Sequence, residues 1–163
     1  MHDSNGHLSL RQATKTDEVL LFEWANDPVV RQWSFSQASI SFNDHKKWFR
    51  EKLNDTNVLI WIFEDHSSPA GMVRLEKKDN QVLLNYLIAP QSRGKKLASE
   101  MLRITINEAR NHWQNIKVFA YTLPRNTASI KTLEKVGFYL ENSNDGKNCY
   151  IFDLNENIVT TGE

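Results

Sequence analysis

Apolar positions along the chain change period several times, and the changes mark out its elements. Leu8 to Arg11 alternates apolar and polar residues, the pattern of an edge strand. Thr14 with Asp17 three residues later forms a capping box, and Val19, Leu20, Phe22 and Trp24 follow on a helix. That helix is expected to stop near Asn26, Asp27 and Pro28, because a residue before proline avoids the helical region. Ser41 and Asp44 make a second capping box, after which Phe42, His45, Trp48, Phe49 and Leu53 recur at helical spacing. Two helices thus precede the main sheet.

The period then shortens. Asn57 to Glu64 is dense in Val, Leu, Ile, Trp and Phe, and after the break at Ser67, Ser68 and Pro69, Gly71 to Glu76 reads as its hairpin partner. Lys77 to Asn80 is a polar turn. Val82 to Ile88 is nearly continuous in apolar residues, as expected of a strand buried on both faces, and Pro90 ends it. From Lys95 to about Asn111 the helical period returns, with Ala98, Met101, Leu102, Thr105 and Ala109 on one face. Ile116 to Tyr121 predicts a strand, Thr127 to Val136 a helix closed by Gly137, and Asn148 to Leu154 a last strand. The order is mixed α and β, an α/β (α+β) class, built on one strand, helix, strand, helix unit.

Composition narrows the partners. The 163 residues fit a single domain spanning 1–163, with polar ends, 1–7 and 156–163, expected to be flexible. Twenty basic and twenty acidic residues cancel, so no overall field draws nucleic acid or an anionic membrane to the chain. No apolar run approaches the roughly 20 residues of a membrane span, and the polar start lacks the pattern of a secretory signal. One cysteine, Cys149, excludes an internal disulfide, which suits a reducing cytoplasm.

A local anion site is expected between the central strand and the long helix, at Gln91, Ser92, Arg93, Gly94, Lys95, Lys96, Leu97 and Ala98. A glycine there lets backbone approach a ligand, and the first N–H groups of a helix are unpaired at its positive end. Arg93, Lys95 and Lys96 add positive charge suited to a pyrophosphate, although a tight turn with solvated basic residues accounts for the same pattern.

Leu84 to Pro90, followed by Arg93, Gly94, Lys95, Leu97 and Ala98, resembles the central motif of the GNAT acetyltransferases. Gln91 and Gly94 match the first two signature positions, while Lys96 stands where that family usually has Gly or Ala. A second pattern, Asn126, Ser129, Leu133, Gly137 and Phe138, is similar to the family's other motif. The resemblance implies a GNAT fold, a mixed central sheet with splayed central strands flanked by helices. It implies acetyl-CoA as cosubstrate and no metal, with the thioester carbonyl polarised by a backbone N–H near Leu87 or Ile88. The turn would hold the pyrophosphate, and Asn126 and Ser129 would lie beside the pantetheine and sulfur.

The same resemblance exposes two departures. Many members carry a tyrosine at the position of Leu133, where its hydroxyl protonates the departing thiolate. Leucine cannot do so, which leaves Tyr121, Tyr139, Cys149, Tyr150 or water as candidate donors. The glutamate that some relatives carry on the central strand is absent from Val82 to Ile88, which leaves Glu76 and His45 as candidate bases. Glu76 also reads as a solvated turn residue and His45 as a packed imidazole.

The segment containing Trp24, Asn26, Asp27, Val30, Arg31, Ser39 to Ser41, His45, Trp48 and Phe49 resembles that of bacterial enzymes acetylating the 4-amino group of nucleotide-linked amino sugars, notably in pseudaminic acid synthesis. Similar segments occur in ribosomal-protein and polyamine acetyltransferases. The implied substrate contacts are Asn26, Arg31, His45 and Trp48, although Arg31 is also placed to pair with Asp27. Protein N-terminal acetylation, polyamine acetylation and a non-catalytic acyl-CoA-binding module are the alternatives. A small-molecule amine is the expected partner of a monomer or homodimer.

Overall fold

The computed structural model describes residues 6–155. The ends expected to be flexible, 1–7 and 156–163, lie outside the described residues apart from residues 6 and 7.

Strand β2 (Val58–Asp65) shows why its sequence is so uniformly apolar. Ile60 and Ile62 face one helical layer and Trp61 and Phe63 the other, and all four are buried. It is the second of seven strands in one sheet, with β1 (Leu8–Gln12), β3 (Ser68–Lys78), β4 (Gln81–Ile88), β5 (Lys117–Thr122), β6 (Tyr139–Asn144) and β7 (Lys147–Asp153). Their spatial order is β1, β2, β3, β4, β5, β7, β6. Among the described residues only β4 and β5 pair in parallel, joined by the long helix α4 as a crossover.

The helices are α1 (Glu18–Ala25), α2 (Pro28–Trp33), α3 (Phe42–Asn54), α4 (Leu97–His112) and α5 (Thr127–Val136). Leu21, Trp24 and Phe49 of α1 and α3 pack on one sheet face, against Ile60 and Ile62. Met101, Leu102, Ile106, Leu133 and Val136 of α4 and α5 pack on the other, against Phe63, Val73 and Val82. Ser41 caps α3 as expected, its Oγ accepting from Asp44 N at 3.1 Å. The fold is the expected mixed sheet flanked by helices.

Two elements were not anticipated. The chain does leave the helical region at Asp27, but Asp27 then caps α2, its Oδ1 accepting from Val29 N at 3.1 Å and Val30 N at 3.2 Å. A capping Asp followed by Pro at the first helical position is a start signal as well as a stop. The other is β6, in which every residue is exposed, so Tyr139–Asn144 has no apolar alternation to reveal it. Its signal is the Asp145–Gly146 turn, with φ of +51° and +73°, which folds β6 back on β7.

Strand β4 departs from its expected burial. Val82 and Leu84 are buried, but Asn85 to Ile88 are only half-buried because they wall two cavities.

Candidate functional site

Pairing between β4 and β5 stops at Leu83 and Phe119, while β4 continues to Ile88 and β5 to Thr122. The strands diverge, leaving a cleft of about 620 Å³ walled by Leu84 to Ile88 on one side and Ala120 to Thr122 on the other. Backbone groups of β4 that would bond a neighbouring strand have none there, so an extended chain carrying amides can pair with them. Thr122 Oγ1 is buried in the same wall without a hydrogen-bond partner. A buried hydroxyl of that kind marks a place for a ligand's polar atom.

One end of the cleft is the turn before α4. Gly94 adopts φ of +76° and Lys96 φ of +58°, and no side chain caps α4. Lys96, Leu97 and Ala98 line the cleft, so the positive end of a 16-residue helix opens onto it. The left-handed conformation costs a residue such as Lys96 about 1–2 kcal/mol, which explains a preference for glycine there. Of the expected coenzyme contacts, Leu87, Ile88, Arg93, Gly94, Lys96, Leu97, Ala98, Asn126 and Ser129 line this cleft. Gln91 and Lys95 are not among its lining residues. Gln91 instead donates Nε2 to Pro69 O at 3.3 Å, and Lys95 is exposed. The Arg93 guanidinium is tied to Asp27, and that hydrogen bond holds the Asp27 carboxyl below its ordinary value.

A second cavity of about 430 Å³ lies on the α3 side of the sheet. Asn85, Tyr86 and Leu87 line both cavities, so the two meet along the end of β4. Arg74 and Asn85 are cross-strand partners on β3 and β4, and both line the second cavity. The Arg74 guanidinium lies 4.8 Å from the Trp48 ring centroid. Burial pulls it below the usual arginine value, opposed by Glu76, whose Oε1 is 2.7 Å from Arg74 Nε. Arg74 Nε and Asn85 Nδ2 nevertheless lack an aligned hydrogen-bond acceptor. Together with Thr122 Oγ1, these are the buried unpartnered side-chain atoms among the described residues, and all three residues line the two cavities.

The structure divides the residues expected to contact substrate. His45 and Trp48 line the second cavity. Asn26 does not, because its amide is paired at both ends with Ile40, Nδ2 to the carbonyl at 2.9 Å and Oδ1 from the N–H at 2.8 Å. Arg31 borders the cavity, yet its guanidinium donates to Ala25 O at 2.6 Å, Ser36 O at 3.0 Å, Ala38 O at 3.3 Å and Ser34 Oγ at 3.0 Å. Neither pairing with Asp27 nor a free charge for a phosphate describes it. Arg31 and Asn26 fasten the segment between α2 and α3. A sequence shows an arginine's charge but not the carbonyls that have already claimed it.

The catalytic candidates separate in the same way. Glu76 lines neither cavity, its oxygens being held by Lys52 at 2.9 Å and Arg74 at 2.7 Å. His45 is buried, and its Nε2 lies 2.9 Å from Glu18 O, so the proton sits on Nε2 and Nδ1 keeps its lone pair. Burial lowers its pKa, with the Glu18 carbonyl opposing, which favours the neutral imidazole. Tyr139 is an exposed residue of the outermost strand, away from both cavities. Cys149 and Tyr150 are buried and line neither. Tyr121 lines the first cleft but is half-exposed, and burial followed by its hydrogen bond with Cys149 raises its pKa. Arg74, Asn85, Tyr86 and Thr122 lay outside the expected set. Arg74 in particular reads from sequence only as one polar position of an alternating strand.

Comparison with known proteins gives a consistent result. A family model described as an acetyltransferase (GNAT) domain matches residues 7–139. A prophage-derived, uncharacterized N-acetyltransferase of Bacillus subtilis (strain 168) is 25% identical over 142 residues, covering 83% of this chain and 77% of its own. The fold superposes on a Vibrio cholerae spermidine N-acetyltransferase in complex with CoA and spermine, with a TM-score of 0.77, 17% identity and coverage of 89% and 93%. It superposes equally on an aminoglycoside acetyltransferase in complex with coenzyme A, with a TM-score of 0.77, 20% identity and coverage of 90% and 94%.

Proposed function

Because the chain belongs to the GNAT acetyltransferase family, and is thus an acetyl-CoA-dependent N-acetyltransferase, we propose that its acceptor is the amine of an oxygen-rich, anionic small molecule, a nucleotide-linked 4-amino-deoxysugar. The observation that carries this reading is the set of hydrogen-bond donors in the second cavity. Arg74, ion-paired with Glu76 at 2.7 Å, and the Asn85 amide present donors there, against a single lining carboxylate, Asp44, which already accepts from Ser41 Oγ at 2.7 Å. A polycation would meet a buried guanidinium in place of the acidic groups it requires. Phosphate and sugar oxygens would satisfy Arg74 and Asn85, and Trp48 offers a flat surface for a base or sugar ring. The lone buried thiol Cys149 supports a cytoplasmic setting.

In this arrangement the first cleft holds acetyl-CoA, with the pyrophosphate at Gly94 to Ala98 and the pantetheine arm against β4. The acetyl group then lies where the cavities meet, at Asn85 to Leu87, and the amine attacks it from the second cavity. His45 is the candidate base that reaches this cavity, and its Nδ1 lone pair can take the amine proton directly or through water. Thiol release with a nucleotide-linked 4-amino sugar, spermidine and a basic peptide tests the reading. The sugar nucleotide is expected to show a kcat/KM about tenfold or more above the others, the scale of one charge-assisted contact. Spermidine or the peptide as the best acceptor would overturn it.

A further inference from the structure

We propose that the hydroxyl pair of Tyr86 and Ser129 delivers the proton to the departing coenzyme sulfur. Tyr86 Oη and Ser129 Oγ lie 2.7 Å apart, bridging β4 and the first turn of α5. Ser129 stands four residues before Leu133, one turn away on the same helical face, and Leu133 itself is fully buried and carries no proton. Tyr86 lines both cavities and Ser129 the coenzyme cleft, which places the pair at the junction where acetyl group and amine must meet.

Hydrogen counting gives the pair its capacity. Two hydroxyls hold two hydrogens, and one is used in the bond between them, whichever oxygen donates. No other hydrogen bond reaches either oxygen among the described residues, so one O–H remains for the cleft. Burial, opposed by the Ser129 hydrogen bond, pushes the Tyr86 phenol up to about 12, and the pair keeps its protons at neutral pH. The positive end of α5 lies beside Ser129 and favours a sulfur that leaves as an anion.

The step balances within the reaction. The amine nitrogen forms a bond to the carbonyl carbon, and the carbon–sulfur bond breaks with its electron pair going to sulfur. The free hydroxyl proton moves to the thiolate. The N–H proton shed by the amine goes to His45 and on to solvent, and solvent restores the hydroxyl proton once coenzyme A has left, so the reaction consumes no net acid.

The test compares Tyr86→Phe, Ser129→Ala and the double variant, each a removal of hydroxyl that spares most of the side-chain volume. The first readout is the pKa of the bound coenzyme A thiol, followed by thiolate ultraviolet absorbance. It needs no acceptor, so its failure is distinct from failure of the amino-sugar reading. The double variant is expected to raise that pKa by about one unit through loss of a donor to the thiolate. The second readout is thiol release under saturating substrates. The double variant is expected to lose about 100-fold in kcat, and each single variant, which keeps one free hydroxyl, less than the double, with KM for acetyl-CoA nearly unchanged. An unshifted thiol pKa, a double variant near wild-type kcat, or loss expressed in KM alone would each overturn the proposal.

Discussion

Gly94→Asp is expected to weaken coenzyme A binding about thirtyfold or more, the equivalent of about 2 kcal/mol for a charge set against an anion. Gly94 lies at φ of +76°, and a side chain built on it would meet no protein atom within 4 Å. Gly94 lines the cleft, beside Lys96, Leu97 and the uncapped start of α4. The aspartate carboxylate would therefore stand where the positive helix end draws phosphate, replacing attraction with repulsion. Gly94→Asn is the control, since asparagine accepts a left-handed φ about as readily and adds no charge. It is expected to lose much less affinity. Calorimetric titration of coenzyme A into folded variants checks both, and equal binding by Gly94→Asp and the native chain would remove the phosphate from this turn.

Arg74→Met is expected to raise KM for an anionic acceptor about 10- to 100-fold while leaving acetyl-CoA affinity nearly unchanged. The change removes one charge-assisted contact, worth about 1.5–3 kcal/mol, and keeps an unbranched stem over Trp48. The sign for a cationic amine is opposite. Spermidine should be bound better by the variant, because the buried guanidinium that repels it is gone. Glu76 retains Lys52 at 2.9 Å, so the substitution does not leave that carboxylate without a partner. Steady-state kinetics with both amines reads the two signs in one experiment. A rise in KM for both would show that Arg74 shapes the cavity without selecting charge.

The cleft between β4 and β5 was legible in the sequence because its elements are local. A strand ending at Ile88, a turn with Gly94 and a helix from Leu97 follow one another along the chain. The second cavity was legible only in outline. His45 and Trp48 share a helix and fell on the expected face, whereas Arg74 and Asn85 meet only through the antiparallel register of β3 and β4. Arg31 and Asn26 misled for the converse reason, their polar groups being consumed by carbonyls and amides of a loop whose path no periodicity describes. Tyr86 and Ser129 stand 43 positions apart, so their hydroxyls come together only when α5 packs beside the splayed strand. Strand β6 escaped because it is exposed on both faces.

A crystal structure with coenzyme A and an amino-sugar nucleotide tests the division into two meeting cavities most directly. Pyrophosphate oxygens are expected on the backbone of Gly94 to Ala98, the pantetheine arm between β4 and β5, and the thiol at Tyr86 and Ser129 facing the second cavity. The sugar nucleotide is expected in that second cavity, with an oxygen on Arg74 and its amine toward Leu87. A coenzyme thiol directed away from Tyr86, or an acceptor bound outside the Arg74 and Trp48 cavity, would contradict that division.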